Sequence, residues 1–173
     1  VMRTTLLARD DYHKLMKMSL PEIIKFLEES GYKEEIDRLA VQYSGVALLE
    51  QALHQNVVRK FSKLRHISSE KINLVLDGYL RRIDVYNVKT IIRGKFTNMP
   101  EEKIRELLFP VGRMDADFLS GLMKKESIKE IVAASEILDK ALAEKVCNEF
   151  EKSHNLFELE NALDKSYYEQ MLS

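Results

Sequence analysis

The stretch YLRRIDVYNVKTIIRGKF, residues 79–96, sets Arg81, Arg82, Asp84, Asn87, Lys89 and Arg93 among Leu, Ile, Val and Tyr. A carboxylate among bases is raw material for acid–base catalysis. Catalysis would also need an acid and a base converging in a cleft with a nucleophile or metal, which a single helix does not provide. Structural use is the simpler reading. On a helix, Leu76, Leu80, Ile83, Asn87 and Ile91 share one face, and Val85, Val88 and Ile92 mark another, so the helix should be packed on several sides. Asp77 and Arg81 are four apart and Arg81 and Asp84 three apart, which makes a ladder of charge pairs available. Inside a helical layer, Asp84 and Asn87 would need partners such as Arg81, Arg93 or a neighbouring backbone end. Groups so held fix the register between packed helices. Asp84, Asn87, Arg93 and Arg81 are therefore the candidate register residues, with no chemistry assigned to them.

Other reactive residue types lack the company that chemistry requires. Gly94-Lys95-Phe96-Thr97 has letters of a phosphate loop but neither its upstream glycine nor its Gly-Lys-Ser/Thr ending. His13, His54, His66 and His154 never stand as His-x-x-x-His or beside the single cysteine, Cys147, so neither a metal site nor a cofactor is expected. Cys147 lies on an apolar stripe and reads as a buried thiol. Ser62 and Ser69 read as helix-surface and capping residues. The basic run RKFSKLRH, residues 59–66, could touch phosphate or acidic protein, yet its place at a helix C-terminus favours a solvated face.

The elements that position these residues are helical. Only six Gly and three Pro occur in 173 residues, and apolar residues recur every three or four positions, so the fold class expected is all-α. Ser19 and Glu22 form a capping box that opens a helix, and Gly31 is expected to close it. A short helix follows over 33–42, then a long one from Ser44-Gly45 to about His66. Its predicted core stripe is Leu48, Leu49, Ala52, Leu53, Val57, Phe61 and Leu64. Ser68 and Ser69 cap the helix carrying the 79–96 stretch, which should fray at Gly94. Another helix starts at Pro100-Glu101 and closes near Pro110 and Gly112.

From there the pattern begins again. DYHKLMKMSLPEII (11–24) is echoed by DFLSGLMKKESIKEIV (117–132), with a second capping box at Ser127 and Glu130. LEQALHQNVVRKFSK (49–63) is echoed by LDKALAEKVCNEFEK (138–152). The echo predicts a first helical unit over 1–110 and a partial second unit over 111–173, in a piece of a longer protein. Twenty-seven basic and 28 acidic residues give a net charge of −1, so no global field draws the chain to nucleic acid or an anionic membrane. The apolar runs fall far short of a membrane span. A soluble, cytosolic chain is expected.

In order, LPEIIKFLEESGYKEEI, YSGVALLEQAL and YLRRIDVYNVKTIIRGKF resemble the C subunits of the archaeal and bacterial A/V-type rotary ATPases, a family that includes the d subunit of the eukaryotic V-ATPase. The Asp-x-x-Asn-x-x-x-x-x-Arg pattern is carried by Asp84, Asn87 and Arg93. The resemblance implies three similar helical units arranged as a funnel, seated on the membrane proteolipid rotor ring and receiving the central shaft made of the D and F subunits. It implies a non-catalytic central-stalk part that transmits torque for proton or sodium transport, peripheral on the cytoplasmic face and tied to the membrane only through the ring. Val1-Met2-Arg3 resembles the middle of the family's N-terminal helix. The alternative from the residues alone is a free-standing helical adaptor that binds protein or RNA through its basic helix.

Overall fold

The computed structural model describes residues 7–172, without the side chain of residue 172; the N-terminal helix reading at Val1-Met2-Arg3 lies outside them. The described residues form ten helices and no strand. In order these are α1 (Arg9–Leu15), α2 (Leu20–Glu28), α3 (Lys33–Leu39), α4 (Gly45–Ile67), α5 (Glu70–Phe96), α6 (Glu101–Glu106), α7 (Ala116–Met123), α8 (Ile128–Ser135), α9 (Lys140–Ser153) and α10 (Leu156–Leu172). The all-α fold class follows. Packing divides the chain into two compact units, residues 1–61 and 62–173, with the division inside α4. The units expected from the echo divide it at 110/111, on repetition of sequence rather than on density of contact.

In the first unit, α2 opens at Ser19, whose backbone N–H donates to the Glu22 carboxylate at 2.7 Å. Its hydroxyl donates to the same carboxylate at 2.6 Å, so the box is joined through Glu22. The helix stops at Glu28, before Gly31, because the Glu29 and Ser30 amides turn back to Lys25 and Leu27. Among the described residues Gly45 is the glycine with positive φ, 60°, so Gly31 is not the left-handed cap expected. The core is Leu27, Ile36, Leu39, Leu48 and Ala52. Only part of the predicted α4 stripe joins it. Leu53 and Val57 are 37% and 39% exposed, and the line that turns inward is Leu48, Ala52 and Asn56, spaced by four.

The second unit is built around α5. Val85, Val88, Ile91 and Ile92 share one core with Ile104, Leu119, Met123, Ile131, Val132, Val146, Leu159 and Leu163. Contributions thus come from α5 through α10, which is why α5 is apolar around most of its circumference. The helix does not fray at Gly94 but runs to Phe96. A Cβ at Gly94 would overlap the Ile104 side chain, so glycine here permits the close approach of α6. Helix α6 ends at Glu106, and residues 109–114 cross to α7 without regular structure, earlier than the Pro110 closure expected. Helices α7, α8 and α9 are capped by Asp115, Ser127 and Asp139, whose side chains accept from the Phe118, Glu130 and Leu142 amides.

Candidate functional site

Asp84 and Asn87 are 2% and 0% exposed. One helical turn apart on α5, they face the non-helical segment 109–114. The Arg113 amide donates to Asp84 Oδ2 at 2.9 Å and the Met114 amide to Oδ1 at 3.2 Å. Asn87 Nδ2 donates to the Phe109 carbonyl at 2.7 Å, and Asn87 Oδ1 accepts from the Phe109 amide at 2.8 Å. Four backbone groups that no helix satisfies are met by two side chains. Buried backbone groups left unpaired are costly, so this clamp sets the path of the segment.

Gly112 lies in the middle of it. A Cβ there would overlap the Asp84 carboxylate. The Arg65 guanidinium donates to the Gly112 carbonyl and pairs with Asp77 Oδ1 at 3.2 Å. That Asp77 oxygen is a charge partner without an aligned hydrogen bond. Burial pushes the Asp84 carboxyl above the ordinary aspartate range, against the pull of the Arg113 and Met114 amides and of the Arg65 and Arg81 charges.

The other candidates stand elsewhere. Arg93 is half-exposed and grips Glu160 of α10 through two bonds, Nε to Oε1 at 2.6 Å and Nη2 to Oε2 at 2.5 Å. The Glu160 carboxylate holds the Arg93 guanidinium above its usual value, with burial opposing. Lys89 reaches Asp164 Oδ2 at 2.7 Å on the same pair of helices. Arg81 acts on Asp84 through space. The expected Asp77–Arg81 pairing gives way to Arg65–Asp77, because the end of α4 brings a closer cation. Asp84 and Asn87 are thus brought together, while Arg93 serves a different seam.

Sequence reasoning missed a second buried polar group, in the first unit. Glu35 and Asn56 are each 1% exposed. Asn56 Nδ2 donates to the Gly31 carbonyl at 2.8 Å and to Glu35 Oε2 at 3.0 Å. Arg59 Nε donates to Glu35 Oε1 at 2.5 Å, and Nη1 pairs with Glu34 at 2.7 Å. The signal was present in the spacing: Ala52, Asn56, Arg59 repeats the plan of Leu80, Asp84, Asn87. An inward apolar position is followed four and then seven residues later by polar ones.

A cavity of about 510 Å³ lies between α8 and α9, with Ala133, Leu138, Ala143 and Cys147 on its walls and Lys129 and Glu136 among its charged residues. Cys147 is buried, and burial raises its thiol, which keeps it protonated and a poor nucleophile. Among the described residues no group of three His, Cys, Asp or Glu side chains is placed to hold a metal ion, and no helix is long and apolar enough to cross a membrane.

The family model for the ATP synthase (C/AC39) subunit matches residues 1–173. The C subunit of the A-type ATP synthase of Methanococcoides burtonii is 40% identical over 167 residues, covering 96% of this chain and 46% of that protein. Its counterpart in Methanosarcina acetivorans is 38% identical over 172 residues, covering 99% and 47%. That of Haloferax volcanii is 35% identical over 172 residues, covering 98% and 49%. No solved structure matches the chain. It spans about half the length of these curated relatives. With its helices and its Asp84–Asn87–Arg93 pattern in place, the chain belongs to the ATP synthase (C/AC39) subunit family.

Proposed function

We propose that this chain is part of a non-catalytic coupling subunit of an A-type rotary ATPase, linking the proteolipid rotor ring to the shaft formed by the D and F subunits. It sits on the cytoplasmic face, associates with the membrane only through the ring, and passes torque for proton or sodium transport. Residues 1–110 form the first helical unit and 111–173 part of a second, within a funnel-like array. The short helices α1, α2 and α3 ahead of the long α4, and the short α7 and α8 ahead of the longer α9, support that division.

One observation carries the mechanical reading. The Asp84–Asn87 clamp spends buried polar side chains on holding backbone still. A part that transmits torque needs connections that do not yield, because packed interfaces pass force only as well as their joints resist sliding. Asp84 and Asn87 are register residues in this reading, Arg93 ties α5 to α10, and Arg81 supplies a nearby positive charge to Asp84. The alternative adaptor reading loses force because two cations of its basic run are engaged, Arg59 by Glu34 and Glu35 and Arg65 by Gly112 and Asp77.

Co-purification of the full-length protein with the proteolipid ring or with the D and F shaft tests the proposal. Retention on either is expected, and failure to bind both would overturn it. A salt-sensitive shift of RNA mobility, lost when Lys60 and Lys63 become Ala, would instead favour the adaptor.

A further inference from the structure

Helices α8 and α9 do not close fully on each other. The cavity of about 510 Å³ between them is walled by Ala133 of α8, Leu138 of the link and Ala143 and Cys147 of α9. Ala143 and Cys147 are four apart and so share one face of α9. The internal echo sets His54 and Val58 at their positions in the first copy. The second copy thus carries the smaller side chain at both places, and small side chains leave room between packed helices. Glu136 ends α8 in the left-handed region, with φ 53°, which is uncommon for a residue that bears a side chain. Beyond that turn, Leu138 reaches the cavity wall.

The walls are apolar and the charges stand at the mouth. Leu138, Ala143 and Cys147 are buried, whereas Lys129, Glu136, Lys140 and Glu144 are exposed, so the cavity opens to solvent between them. Two cations and two carboxylates balance, and net charge at the mouth favours neither an anion nor a cation. Lys129 is also drawn to Asn148 Oδ1, at 3.3 Å. Cys147 is 1% exposed, and among the described residues no hydrogen bond meets its thiol. Burial keeps that thiol protonated, so it offers a ligand a soft, neutral wall with one weak donor. Water in such a space finds few partners, and an apolar group that displaces it gains affinity.

We propose that this cavity is a binding site for a small, uncharged, mainly apolar molecule. Its volume lies within the ~300–1,000 Å³ of typical small-molecule sites. A charged ligand would have to leave water for buried walls that hold no counter-ion. None of the lining residues belongs to the Asp84–Asn87 clamp, and occupancy does not depend on ring or shaft binding.

The test titrates the full-length protein with N-phenyl-1-naphthylamine, an uncharged probe that fluoresces on leaving water. Saturable binding is expected, and its absence overturns the proposal. The 8-sulfonate of the same ring frame adds one negative charge and should bind at least about tenfold more weakly. Equal or tighter binding of the sulfonate overturns the assignment to an uncharged ligand. Ala133→Phe adds bulk at an exposed position of the wall, so the fold should hold and the melting curve stay unchanged. It should weaken the neutral probe by about tenfold or more, by obstructing the space the probe enters. Ala143→Leu, which fills the cavity from α9, should do the same. Unchanged affinity in either folded variant overturns the proposal, because the probe would then sit on another apolar surface.

Discussion

The two compact units each bury a small polar group at the same helical spacing, but they spend it differently. In the first, Glu35, Asn56 and Arg59 bond mainly to one another, and the Gly31 carbonyl is the one backbone group drawn in. In the second, Asp84 and Asn87 direct their hydrogen bonds to four backbone groups of segment 109–114, with Arg65 and Arg81 acting on Asp84 by charge alone. A side-chain cluster can adjust, since Arg59 is 47% exposed at its side chain and has several rotamers. A backbone clamp has no such freedom. The first group holds two helices together, whereas the second dictates the course of a loop.

The strongest way to break the contrast is Asp84→Ala. It strands the Arg113 and Met114 amides, and the expected loss is about 3 kcal/mol of unfolding free energy. Denaturant titration measures it, with amide exchange at those two residues as the local readout. Asn87→Ala should follow at about 2 kcal/mol on the same scale.

Gly112→Ala is expected to cost about 2 kcal/mol by overpacking against Asp84. Combined with Asp84→Ala, that cost should largely vanish in a double-mutant cycle, since the clash is with the carboxylate that has been removed. Additive losses would show that Gly112 matters for another reason.

Arg59→Ala and Arg93→Ala sharpen the comparison at a smaller scale. Both cations are half-exposed, but Glu35 is 1% exposed and Glu160 is 16% exposed at their side chains. Arg59→Ala leaves a buried carboxylate short of its cation and should cost about 1.5–2 kcal/mol, the low end for a hydrogen bond to a charged group because Arg59 is itself half-exposed. Arg93→Ala should cost under about 1 kcal/mol and less still in high salt, as for other exposed pairs.

The smallest effect is with pH. The folded-state value of Asp84 is raised, so between the ordinary aspartate value and that raised value the folded chain holds a proton that the unfolded chain releases. Stability from this residue is present in full below the unfolded value and falls as pH rises through the folded one. Measured against Asp84→Asn, the wild type should therefore gain relative stability on acidification through that window.

How legible these features were depended on the distance of the partner in sequence. The Ser19–Glu22 box spans three residues and could be read directly. The apolar surroundings of Asp84 and Asn87 told of burial, because helical period assigns faces without knowing the fold. Their partners lie more than twenty residues away and are backbone, which carries no letter of its own. Charge spacing pointed to Arg81 for the same reason that it missed Arg65: it sees one helix at a time. Asn56 escaped because its neighbours Leu53 and Val57 completed a plausible stripe that the packing does not use.

The clamp on segment 109–114 also makes that segment a gauge of length. Its two ends are pinned to points one turn of α5 apart, Phe109 on Asn87 and Arg113 on Asp84. Three residues must bridge those pins while one of them passes the carboxylate without a side chain. Lengthening or shortening the chain by one residue between Phe109 and Arg113 would turn the wrong residue toward Asp84. Loops elsewhere on such a helical protein can drift in length over generations; this one is held to its count.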